Sequence, residues 1–145
     1  MTVVVGVDGQ SGTRAAIRLA AQEARYRGTG LVAIMAYSGD RTPGTPAARP
    51  LSVPGPADEQ RTGTESSLRT AVREALGDQA ADVELRAEPG IAGRILVEAA
   101  RDADAELIVL ATRGSIARLI GSVSQYVLRE APCPVLVVPD ASKGL

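Results

Sequence analysis

The chain has 145 residues, 45% of them hydrophobic, and a formal net charge of −1. This length suits one compact domain over residues 1–145. The low net charge, with both signs dispersed, predicts neither a nucleic-acid nor a membrane partner. The sequence has no His, which excludes Ser-His-Asp and Cys-His catalysis and the commonest metal ligand. We therefore expect a protein that is not an enzyme and holds no metal.

The N-terminal third alternates strand and helix patterns. A β-branched run over residues 2–7 predicts the first strand; it is too short for a membrane span and has no basic residue before it, so we expect a cytoplasmic protein. Residues 11–27 follow with helical periodicity, and residues 31–37 form a second apolar run. The predicted apolar face of this first helix consists of Ala15, Ala16, Leu19, Ala20 and Ala24.

A segment rich in Pro and Gly, at about residues 39–56, separates the second strand from the second helix. Because too few residues precede it to form a domain, we interpret it as a surface loop and not as a linker. Thr62 and Glu65 have the spacing of a capping box, and an apolar stripe then continues as far as Gly77. This pattern predicts a second helix that begins near Thr62.

The C-terminal half repeats the alternation. Residues 83–87 alternate apolar and charged side chains, which predicts an edge strand, whereas residues 107–111 are continuously apolar and predict a central one. Helices are predicted over residues 91–104 and 122–129, and a last strand over residues 135–138. The apolar face of the third helix is predicted to be Ile91, Ile95, Leu96, Ala99 and Ala100. Cys133, between two prolines, is predicted to be a buried small residue.

Strict alternation with short connections predicts an α/β fold: an open five-stranded parallel sheet with helices on both faces. With strand three at an edge and strand four central, the simplest strand order is 3-2-1-4-5. The order then reverses between strands one and four, and ligands of such sheets bind at the carboxyl ends of the strands at that point. Residues 8–11 and 112–122 are therefore the candidate binding segments.

Two features of these segments have both a binding and a structural interpretation. Gly121 and Ser122 open a helix whose free N–H groups could hold a phosphate, but Ser122 and Gln125 also have capping-box spacing. Asp8 could accept hydrogen bonds from a base or a ribose, but an Asp-Gly pair is equally ordinary in a turn. Arg113 and Arg118 could pair with phosphate or remain solvated.

Four blocks of sequence, in order along nearly the whole chain, carry a resemblance to a known family. They are residues 3–9 (VVVGVDG), 105–110 (AELIVL), 121–125 (GSVSQ) and 131–138 (APCPVLVV). With these blocks the chain resembles the universal stress protein family. The resemblance implies a Rossmann-like fold of the adenine nucleotide alpha hydrolase type and a homodimer formed through the last strand. The residues of that strand are Val135, Leu136, Val137 and Val138.

The nucleotide-binding branch of this family carries the pattern G-x2-G-x9-G-(S/T), from which this chain departs. Ala111 stands at the first Gly, and only six residues separate Gly114 from Gly121 where the pattern has nine. By the resemblance, Asp8 and the backbone near Ala36 would face adenine. The residues near the ribose and phosphates would be Gly114, Gly121, Ser122 and Val123. A loop three residues shorter reaches about 10 Å less when extended and is less suited to a triphosphate.

Two functions remain open from the sequence. The first is a non-catalytic regulatory or interaction protein of the stress response, a homodimer with unidentified protein partners and a degenerate nucleotide loop. The second is a sensor of the same family that retains ATP or AMP at the junction of strands one and four. Flavodoxin-like chemistry is disfavoured because the only aromatic residues are Tyr26, Tyr37 and Tyr126.

Overall fold

The computed structural model describes residues 1–8, 13–38, 56–111 and 121–139. Its strands are β1 (Thr2–Gly6), β2 (Gly30–Tyr37), β3 (Val83–Pro89), β4 (Ala105–Ala111) and β5 (Val135–Val138). Its α-helices are α1 (Thr13–Arg27), α2 (Pro56–Leu76), α3 (Ala92–Asp102) and α4 (Ser122–Glu130), and a 3₁₀ helix, Gly77–Asp82, follows α2. Residues 39–55 of the predicted loop, and Arg113, Gly114 and Arg118, lie outside the described residues. Among the described helices, none has the length and apolar character needed to cross a bilayer.

The sheet is parallel throughout, with the order β3-β2-β1-β4-β5, which confirms the predicted topology. In the centre, Val4 of β1 pairs with Val32 of β2 on one side and Ile108 of β4 on the other. The predicted edge strand β3 is confirmed as an edge, and Glu84 and Arg86 form an ion pair of 3.4 Å on it. Charged side chains of this kind protect an edge from pairing with other chains.

Helices cover both faces of the sheet and enclose two apolar layers. Val3 and Val5 of β1 point into the layer under α1 and α2, whereas Val4 points into the layer under α3 and α4. This alternation follows from the period of two along a strand. Since β1 is buried from both sides, a nearly continuous aliphatic run is the composition that it requires.

The buried face of α1 differs from the predicted one. Ala16, Ala20 and Ala24 are buried as expected, but Ala15 is exposed and Leu19 is half-buried. The remaining buried residues of α1 are Thr13, Ile17 and Ala21. The helix packs against α2 as well as against β1 and β4, so that its buried face is rotated toward Ile17.

Two helix starts also differ from the prediction. Helix α2 begins at Pro56, six residues before Thr62, so that Thr62 lies inside the helix and is not its N-cap. Proline suits a first helical position because the N–H that it lacks would have no partner there, and Asp58 and Glu59 add favourable acidic charge to this turn. The predicted end is confirmed, since Gly77 follows α2 with φ of +59°.

In the third helix, Ile91 precedes α3 as its N-cap and is 69% exposed, so it does not belong to the apolar face.

The same Gly→Ala substitution should have opposite effects in two helices. At Gly93 in α3, a Cβ would lie 3.0 Å from Cδ1 and 3.2 Å from Cβ of Tyr126 in α4, so Gly93→Ala should destabilise the fold by about 1–3 kcal/mol. At Gly63 in α2, nothing lies within 4 Å of such a Cβ, and Gly63→Ala should stabilise by about 0.5–1 kcal/mol. Urea denaturation of both variants tests this, and equal effects would contradict the close packing of α3 on α4.

Candidate functional site

A pocket of about 440 Å³ opens at the carboxyl ends of β1, β2 and β4, where the strand order reverses. On the other side it is bounded by the first turns of α3 and α4. The lining residues are Gly6, Val7, Asp8, Ile34, Ala36, Ala92, Ile95, Leu96, Leu110, Ala111, Gly121, Ser122, Val123 and Ser124. Of these residues, Asp8 alone is charged. The described lining therefore forms an aliphatic cleft with one carboxylate and one polar helix end.

Most residues singled out from the sequence lie around this one pocket. Asp8 follows β1, Ala36 lies on β2 and Ala111 ends β4. Gly121, Ser122 and Val123 belong to the start of α4 and also line the pocket. Gly114 falls outside the described residues. The topology thus brings together residues that are up to 115 positions apart in the sequence.

Asp8 is held by a contact with the first residue of α1. The Thr13 hydroxyl donates a hydrogen bond of 2.7 Å to Oδ1 of Asp8, and Thr13 itself is buried. The Val7 N–H donates to the Ile34 carbonyl at 2.8 Å, which continues the pairing of β1 with β2 up to the residue before Asp8. The carboxylate is exposed and faces the pocket with its orientation limited by Thr13.

The start of α4 does not form the capping box that Ser122 and Gln125 suggested. Gly121 is the N-cap, with φ of −63° and ψ of 170°, and among the described residues no side-chain hydrogen bond caps the helix. The first intrahelical bond runs from the Gln125 N–H to the Gly121 carbonyl at 3.1 Å. The N–H groups of the three preceding residues therefore have no acceptor within the helix, which makes this end suitable for an anion.

The sequence reasoning missed Ser124 and the wall formed by α3. Ser124 lines the pocket and is only 7% exposed. Its position in the first turn of α4, beside Ser122 and Val123, was a signal that could have identified it. Ala92, Ile95 and Leu96 reach the pocket from α3, and helical periodicity indicated only that α3 has an apolar face.

Gly6 keeps the floor of the pocket open at the end of β1. A Cβ at this position would lie 3.0 Å from Cδ1 of Leu96 and 3.1 Å from Cδ2 of Leu110. These leucines therefore approach the β1 backbone more closely than a side chain at position 6 would allow. The contact of Leu96 and Leu110 with the β1 backbone at Gly6 forms the apolar floor of the pocket.

Cys133 lies away from the pocket and packs against the apolar layer under α3 and α4. Burial raises the pKa of its thiol, although a backbone hydrogen bond with Ile108 acts in the opposite direction. A raised pKa leaves less thiolate at neutral pH, and the thiolate is the reactive form. Cys133 is thus a small packing residue as predicted, but it is half-buried and not fully buried.

Comparison with known proteins identifies the family. The model of the universal stress protein family matches residues 1–139. A universal stress protein of Mycolicibacterium smegmatis is 33% identical over 141 residues, covering 94% of this chain and 95% of that protein. One of Mycobacterium tuberculosis is 30% identical over 148 residues, and since only 47% of it is matched, the chain spans about half the length of that relative.

A solved structure agrees with this result. The crystal structure of a universal stress protein in complex with cAMP superimposes with a TM-score of 0.68 at 30% sequence identity and covers 95% of each chain. The fold and the family model lead to the same conclusion. The chain belongs to the universal stress protein family.

Proposed function

We propose that this chain is a non-catalytic regulatory protein that binds an adenine mononucleotide in the pocket at the junction of β1 and β4. The observation that carries the proposal is that six residues assigned to a nucleotide by family resemblance line this pocket. They are Asp8, Ala36, Ala111, Gly121, Ser122 and Val123. The similar structure that holds cAMP adds independent support.

The chemistry of the lining fits an adenosine moiety at one end and a phosphate at the other. The Asp8 carboxylate can accept a hydrogen bond from the exocyclic amine of adenine or from a ribose hydroxyl. The aliphatic side chains of Ile34, Leu110 and Val123 provide apolar surface for the planar base. The N–H groups at the start of α4 suit the phosphate.

We infer a preference for a monophosphate over a triphosphate. Only six residues separate Gly114 from Gly121, three fewer than in the nucleotide-binding pattern of the family, which leaves less chain to surround a triphosphate. In this sense the loop is degenerate. The pocket offers no His, and Asp8 is its only carboxylate among the described residues, so that no pair of acid and base is available for hydrolysis.

The experiment is a calorimetric titration of the purified protein with adenosine, AMP, cAMP and ATP, after bound nucleotide has been removed and identified. We expect saturable binding of AMP, weaker binding of ATP and no release of phosphate during prolonged incubation. GMP is the matched control for base recognition. If AMP neither binds nor raises the melting temperature at millimolar concentration, the proposed nucleotide function is wrong and the interaction function remains.

The last strand supports a second proposal, a homodimer. The four residues of β5 are aliphatic, only partly buried and at the end of the sheet. A partly exposed apolar edge strand is suited to contact with a second copy of the chain. Val137→Lys should therefore lower the molar mass measured by light scattering from that of a dimer to that of a monomer. Glu84→Lys on the opposite edge, β3, is the control and should leave the mass unchanged.

A further inference from the structure

The strands that end at the pocket present alternate side chains to opposite faces of the sheet. On β2, Val32 and Ile34 point into the layer under α3 and α4. Ala33 and Met35 point into the layer under α1 and α2. Because the side-chain period of a strand is two, the next residue, Ala36, faces the side of α3 and α4. The methyl group of Ala36 is therefore directed toward the pocket that this residue lines.

Ala36 borders the pocket without packing against an apolar layer. It is half-buried, yet among the described residues it belongs to neither of the two layers. On the neighbouring strand, Gly6 pairs with Ile34, two residues before Ala36. Leu96 and Leu110 already fill the position that a Cβ of Gly6 would take. On this face of the sheet the space for a ligand therefore lies beyond Gly6, over Ala36.

Ile95 of α3 forms the opposite wall of this space. Its Cδ1 would be 3.2 Å from a Cβ at Gly90, and the Gly90 N–H donates to the Tyr37 carbonyl at 2.8 Å. Ile95 thus reaches the end of β2 next to Ala36, and both residues line the same pocket. A slot with aliphatic walls suits a flat aromatic ring, because both faces of the ring are then covered by apolar atoms.

Ala111 directs its methyl group away from this slot. It ends β4, two residues after Val109, which lies in the layer under α1 and α2. Ala111 packs against the same layer, so its side chain lies on the face of the sheet opposite to that of Ala36. The alanine that replaces the first Gly of the family pattern therefore takes no space from the slot.

We propose that Ala36 and Ile95 form the slot for the base of the ligand, and that the size of the side chain at position 36, and not at position 111, determines whether the base enters. This inference rests on the proposed nucleotide function and specifies how that pocket selects its ligand. The class selected is a compound with a flat bicyclic base such as adenine. Because the slot acts on the base, adenosine and AMP should respond alike to changes in it.

The test makes the same substitution on the two faces of the sheet. Ala36→Val should weaken the binding of adenosine and of AMP by about tenfold, and Ala36→Leu by more, because the added carbons occupy the slot. Ala111→Val is the matched control, since it makes the same change in a strand that also ends at the pocket. It should lower the melting temperature by overpacking the other layer but bind both compounds as the wild type does. Calorimetry gives the affinities, and thermal unfolding gives the stabilities.

A second pair of variants tests the wall formed by α3. Ile95→Ala should weaken both compounds by roughly tenfold, because the base loses apolar contact. Ile91→Ala is its matched control: Ile91 is 69% exposed and is not among the described lining residues, so binding should stay unchanged. Wild-type affinity in Ile95→Ala would overturn the proposed slot.

Three results with Ala36 and Ala111 decide the proposal. It is overturned if Ala36→Val binds both compounds as tightly as the wild type, or if Ala111→Val loses as much affinity as Ala36→Val. A loss confined to AMP would also overturn it, because the slot would then hold the phosphate and not the base. In these cases the wild type still binds, and the proposed nucleotide function stands. A wild type that binds neither adenosine nor AMP would refute that function and, with it, this inference.

Discussion

Replacement of Asp8 by alanine is expected to weaken the binding of adenosine and of AMP by roughly tenfold to a hundredfold, the range for loss of a hydrogen bond to a charged group. Asp8 is the only charged residue in the described lining of the pocket, and the Thr13 hydroxyl orients its carboxylate at 2.7 Å. Asp8 is expected to contact the adenosine part of the ligand, which adenosine and AMP share. Both compounds should therefore lose affinity by the same factor. Isothermal titration calorimetry measures this directly.

Two further variants separate the charge of Asp8 from its orientation. Asp8→Asn keeps an oxygen that can accept the Thr13 hydrogen bond, so it should preserve the fold and lose only the charge-dependent part of the affinity. Asp78→Ala removes an exposed carboxylate of the 3₁₀ helix, away from the pocket, and should bind as the wild type does. Normal binding by Asp8→Ala would place the adenosine elsewhere.

Ile17→Ala should be among the most destabilising single truncations, with a loss of about 2–5 kcal/mol in the free energy of unfolding. The side chain of Ile17 is 0% exposed and lies in the apolar layer under α1 and α2. Removing three carbons there leaves a cavity that the surrounding sheet and helices can fill only in part. Chemical denaturation monitored by circular dichroism gives the value.

Leu19→Ala is the matched control because it truncates a side chain of the same size in the same helix. Leu19 is half-buried and does not pack against the apolar layer, so this variant should lose much less stability than Ile17→Ala. A larger loss for Leu19→Ala would support the buried face predicted from the sequence and contradict the rotation of α1 in the structure.

The sequence by itself determined the order of the strands and helices, the strand topology and the edge at which the pocket forms. Local pattern was sufficient for these features. A β-branched, aliphatic run such as Val3–Val5 favours a strand that is buried on both faces, and the charged alternation of β3 indicates an edge strand. Because parallel strands are joined by right-handed connections, few strand orders are possible for this sequence of elements. The position of the pocket at the junction of β1 and β4 then follows from the strand order.

Only the tertiary structure decided which helical residues face the core and which side chains complete the pocket. The alanine-rich α1 has small residues on several faces, and its buried face depends on α2, which begins far from it in sequence. Likewise, the contribution of Ala92, Ile95 and Leu96 to the pocket depends on how α3 packs beside α4, where Gly93 admits the Tyr126 ring. Such contacts arise between elements whose own periodicity contains no information about their neighbours, because packing is set by the shapes of both partners.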